Sequence, residues 1–169
     1  MKTRRLTELA LLTGVALIIF IIELRIPNLT PIPGVKLGLA NIITVYAVFR
    51  YRPSETAMLV ACRIILGAIF SGKPDTLLYS AAGAFCCLLG MLSVRKIIPA
   101  NFIWLCSVVG AIFHNIGQIG AALAVMRTTA VLSYLPVLMV SGCVAGLFTG
   151  LCAQLLLKRL GKEKPNHPT

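Results

Sequence analysis

A chain of 169 residues in which 58% are hydrophobic and only 12% charged has more apolar surface than a soluble domain of that length can bury. Composition excludes a water-soluble fold and points to an integral membrane protein. The net charge of +11 is not the footprint of a nucleic-acid binder, because the basic residues lie between hydrophobic runs and stacking aromatics are few.

A membrane-crossing helix needs roughly 20 apolar residues. The hydropathy divides the chain into six segments, about Leu6–Leu24, Leu37–Phe49, Glu55–Phe70, Thr76–Val94, Asn101–Met126 and Ala130–Leu157, with a basic cytoplasmic tail over 158–169. The expected architecture is an all-α, integral membrane six-helix bundle in a single transmembrane domain. The first segment has the basic start and apolar run of a signal peptide but no small-residue cleavage site, and five more segments follow, so it is expected to stay. The second is short and follows Ile26–Gly34, where Pro27, Pro31 and Pro33 forbid regular helix; this loop is expected to dip back into the protein.

Basic residues set the expected orientation. With the N-terminus cytoplasmic, 11 of the 16 fall on the inner side: in the N-terminal region, the 50–52 and 95–96 loops and the tail. Only Arg25, Lys36, Lys73 and Arg127 fall outside, and Arg63 lies within a segment. The positive-inside rule then places both termini in the cytoplasm of a multi-pass plasma-membrane protein.

Two stripes of small residues suggest close helix packing. Ala10 and Gly14 are spaced four apart on the first segment, as are Gly142, Gly146 and Gly150 on the last, so each offers a smooth groove. The glycine stripe is read as internal packing. For Ala10 and Gly14 the partner is either another helix of this chain or another subunit. The six cysteines fall inside the segments with no paired spacing and are read as small apolar fillers, not as a metal site.

The fifth segment holds GAIFHNIGQIGAA, residues 110–122, with His114, Asn115 and Gln118 near its middle. At 3.6 residues per turn the three share one face, and polar side chains within a span usually face the bundle interior or a watery cavity. Either they line a binding path or they zip helices together. Asn41 and Arg63 are the other deep candidates, with Glu23 and Lys36 approaching from the outer side, so the set converges on a cavity in the outer half. Arg63 is expected to find backbone carbonyls, Asn115 or an anionic ligand group as its partner, since no acid is evident at its depth. The candidate substrate-binding residues are Lys36, Asn41, Arg63, His114, Asn115 and Gln118.

PIPGVKLGLANI (31–42), RIILGAIFSG (63–72) and GAIFHNIGQ (110–118) resemble the Gx transporter family, also called heptaprenyl diphosphate synthase component I. That family in turn is similar to the S components of energy-coupling factor importers. The resemblance implies a non-catalytic subunit that binds a vitamin-like small molecule, needs no cofactor, and docks on a transmembrane coupling subunit with its ATPases through Ala10 and Gly14. It equally implies, through the synthase name, a membrane component of isoprenoid or quinone biosynthesis. The chain has no GxxxxGK[ST] loop to couple transport to ATP by itself, and Asp75 is its only aspartate, so the clustered carboxylates that hold magnesium against diphosphate are missing.

Overall fold

The computed structural model describes residues 3–25, 38–72, 76–99 and 102–160. Among them are six α-helices and no strand: α1 (Thr3–Arg25), α2 (Asn41–Arg50), α3 (Pro53–Ser71), α4 (Thr76–Val94), α5 (Ile103–Met126) and α6 (Leu135–Leu160), with a 3-10 helix over Thr129–Tyr134. Helices α1, α3, α4 and α5, and the run Thr129–Leu160, are long and apolar enough to cross a membrane. Large side chains along them, such as Leu11, Phe70 and Val140, are exposed, which only a lipid surround accommodates. The chain is an all-helical membrane protein.

Helix α2 is the exception, and it shapes the molecule. Its 10 residues span about 15 Å, half the thickness of a hydrocarbon core. The hydropathy run that suggested helix from Leu37 is broken at Gly38, whose φ of +67° belongs to the left-handed region. A turn closes there, with Asn41 N donating to Gly38 O at 2.8 Å. The Glu23 carboxylate at the end of α1 accepts the Gly38 N–H at 2.5 Å and so fixes the entry of α2.

From that point α2 runs back toward the end of the bundle that carries Thr3 and Leu160. Ile43 to Val48 are all buried, so this short helix is a core element. Leu9, Tyr46, Leu59 and Val60 close around one side of it, and Met91, Cys106 and Ala153 around the other. Polar contacts lock this half. Thr56 Oγ1 donates to Ala47 O at 3.1 Å and Arg95 Nη1 to Val48 O at 2.9 Å.

Glu55 looks in the sequence like an ordinary first-turn acid, yet it is buried. Its carboxylate caps α3 by accepting Arg52 N–H at 2.9 Å and pairs with Arg5 of α1 at 2.8 Å. The Arg5 guanidinium also lies 5.7 Å from the centre of the Tyr51 ring. Burial, reinforced by the neighbouring Glu8 carboxylate, pushes the Tyr51 hydroxyl up to about 12.

Helices α4, α5 and α6 pack face to face, with α5 in the middle. A Cβ at Gly150 would sit 2.5 Å from Trp104 Cα, and one at Gly146 3.0 Å from Val108 Cα, so the stripe on α6 lets two backbones touch. Between these helices Ser107 and Thr149 share a buried hydroxyl contact of 3.1 Å.

Two boundaries differ from the hydropathy reading. The last helix does not run straight from Ala130: α5 ends at Arg127, at a φ of 50°, and the chain turns through the 3-10 helix before α6 starts. Pro136, tolerated in a first helical turn, fits that start. At the other end α6 continues to Leu160, so Lys158 and Arg159 cap a helix, where cations complement its dipole, and do not belong to the tail.

Candidate functional site

Because α2 fills only the half of the bundle near the chain ends, the other half is hollow. A cavity of about 780 Å³ lies there, within the size range of small-molecule sites. Asn41 is the first residue of α2, and Arg63 lies ten residues into α3, so both stand about 15 Å from the ends of their helices. They form the cavity's floor together, Arg63 Nη1 donating to Asn41 Oδ1 at 3.3 Å.

His114, Asn115 and Gln118 line the same cavity from α5. Their shared face divides between two neighbours. His114 and Gln118 lean on α4, where a Cβ at Gly83 would meet Gln118 Cγ at 2.8 Å and His114 Cε1 at 2.9 Å. Asn115 leans the other way: it is buried, packs on Gly142 of α6, and its Nδ2 donates to Leu138 O at 2.5 Å. Asn115 thus ties α5 to α6, and it is Asn41, not Asn115, that partners Arg63.

The structure also adds residues. Glu23 reaches the cavity, so an acid does share this space with Arg63, although among the described residues no carboxylate lies within 4 Å of that guanidinium. Tyr79 and Ser80 of α4 and Tyr134 of the 3-10 helix contribute polar groups that the sequence reading passed over. Polar residues within the apolar α4 run were the available signal for the first two. The rest of the wall is small or aliphatic: Ala68, Ala111, Ala122, Ile64, Ile119 and Leu138. Phe20 of α1 closes one side, its ring packed where Gly67 has no Cβ, with Cε1 2.9 Å from the point a Cβ would occupy.

Lys36 and the proline-rich loop before it lie outside the described residues. Ala10 is exposed on α1, and nothing stands within 4 Å of a Cβ added at Gly14, so this small-residue pair faces away from the bundle. Among the described residues no three His, Cys, Asp or Glu side chains gather in metal-ligating reach.

The arrangement can hold an organic molecule: apolar walls supply burial, and a few polar groups at fixed positions supply orientation. No curated protein and no solved structure matches the chain. A family model described as heptaprenyl diphosphate synthase component I matches residues 12–156, and on that match the chain belongs to this family, which is also known as the Gx transporter family.

Proposed function

We propose that this protein is the membrane-embedded substrate-binding subunit of an energy-coupling factor type importer, a six-helix S-component-like protein that captures a small vitamin-like molecule and performs no chemistry on it. The observation that carries the reading is the cavity over Asn41 and Arg63: a hollow half-bundle with polar groups on several walls is what a binder needs. In this reading the protein sits in the plasma membrane with both termini cytoplasmic, so the hollow half opens outward. Energy comes from a separate coupling subunit with ATPases, which docks on the outward-facing pair Ala10 and Gly14 of α1.

The test is affinity purification from native membranes, with the recovered chains identified by mass spectrometry. The unaltered protein should bring down a transmembrane coupling subunit and its ATPases. A chain carrying Ala10→Trp and Gly14→Trp should remain folded and bring down neither. Equal recovery by both would put the docking surface elsewhere, and no ATPase module with either would sink the importer reading. The family's description favours a second reading, a membrane component associated with heptaprenyl diphosphate synthesis. It predicts co-purification of a carboxylate-bearing catalytic partner instead.

A further inference from the structure

The floor of the cavity is more specific than its walls. A guanidinium carries five N–H donors in a rigid fork, and the contact of Arg63 to Asn41 Oδ1 occupies one of them at a long 3.3 Å. Arg63 is the only Lys or Arg among the described residues lining the cavity. The one acidic side chain there, Glu23, is engaged by the Gly38 N–H. A cation held midway through a helical bundle, with a neutral amide as its hydrogen-bonded neighbour, is costly until an anionic group arrives. Above it the wall turns apolar, through Ile64, Ala68, Ala111, Ile119 and Leu138, and stays so toward the mouth at Met126 and Val131.

We infer that the cavity takes an amphipathic organic anion with a single oxyanion group, a carboxylate, sulfonate or phosphate monoester, seated on Arg63 and Asn41, its apolar body extending along α5 toward the 3-10 helix. An inorganic anion leaves most of 780 Å³ of largely apolar space unfilled. A diphosphate brings more charge than one guanidinium offsets. The side chains of His114 and Gln118, one turn apart on the α5 wall, meet polar substituents on the ligand's body. This assignment rests on the reading of the cavity as a binding site.

Two fluorescent probes separate the two ideas: 8-anilinonaphthalene-1-sulfonate and N-phenyl-1-naphthylamine share the same ring body and differ by the sulfonate. Each is titrated into the full chain in lipid nanodiscs, with empty nanodiscs subtracted. The sulfonate should bind at least about 10-fold more tightly than its neutral counterpart, the gain expected of a charge-assisted contact. Arg63→Gln should remove that advantage, and Arg63→Lys should restore part of it. Ala122→Phe, which fills the cavity from α5, should weaken both probes. The comparison on the unaltered chain needs no variant, so a misfolded Arg63→Gln protein leaves the test intact. Equal affinities for the two probes, both lost in Ala122→Phe, would keep the cavity as a binding site and overturn the anion. Probe binding that Ala122→Phe does not change would overturn the cavity itself.

Discussion

The two small-residue stripes look alike in sequence and differ in structure, and a methyl group added to each separates them. In Gly150→Ala the new Cβ stands 2.5 Å from Trp104 Cα and 2.7 Å from Ser107 Cβ. Carbon atoms pack at about 3.5–4.0 Å, so a gap of about 1 Å has to open, and the obstruction is backbone that cannot rotate aside. Overpacking of this kind costs about 1–3 kcal/mol, and the better helix propensity of alanine returns at most about 1. The net loss should lower the midpoint of thermal unfolding by about 2–8 °C for a chain of this length. In Gly14→Ala the methyl meets nothing within 4 Å, and only the propensity gain remains, so the midpoint should hold or rise slightly. Circular dichroism melting of both variants in the same detergent measures the difference. A Gly150→Ala protein as stable as the unaltered chain would mean that α5 and α6 do not touch at this crossing, and the packing reasoning would be refuted.

Asn115 and Gln118 should part company in the same assay: Asn115→Leu removes the bond to Leu138 O and crowds Gly142, costing about 1–3 kcal/mol of stability, whereas Gln118→Leu leaves the melting midpoint unchanged and weakens ligand or probe binding. Equal destabilisation by the two would return Gln118 to a structural role. Glu55→Ala strips both the cap on α3 and the pairing with the part-exposed Arg5, and should cost about 1–3 kcal/mol, read as a lowered midpoint with the probe affinities retained in the folded fraction.

Much of the cavity was legible because polar side chains in an apolar run have few places to go. Asn41, Arg63, His114 and Gln118 could be brought together from depth alone, at 1.5 Å per residue along each helix. What depth does not encode is which neighbour a side chain turns to. Asn115 and Gln118 share a helical face, yet Gly142 on one flank and Gly83 on the other draw them apart, and those glycines lie on different helices. The early stop of α2 was equally hidden. Leucine and alanine continue through Gly38, and what ends the helix is a carboxylate 15 residues away, Glu23, which holds the turn from α1. Hydropathy also reads straight through the break after Arg127, because the 3-10 helix is as apolar as the helices beside it. Glu55 was placed at a helix start by its sequence, but its burial depends on Arg5, which only the tertiary fold supplies.

The short α2 has a consequence for how such a chain can diversify. The tightly filled positions, Val45, Leu59, Met91, Cys106 and Ala153 among them, cluster around α2 near the chain ends, while the cavity positions belong to the half this helix never reaches. A substitution at Ala68, Ala122 or Val131 alters an open wall and not a close-packed contact, so it reshapes what fits with little penalty to folding. Selection for a new ligand and selection for a foldable chain then act on different residues. A scaffold divided in this way can change its cargo through single substitutions that each remain viable, and the same division marks where an engineer would begin.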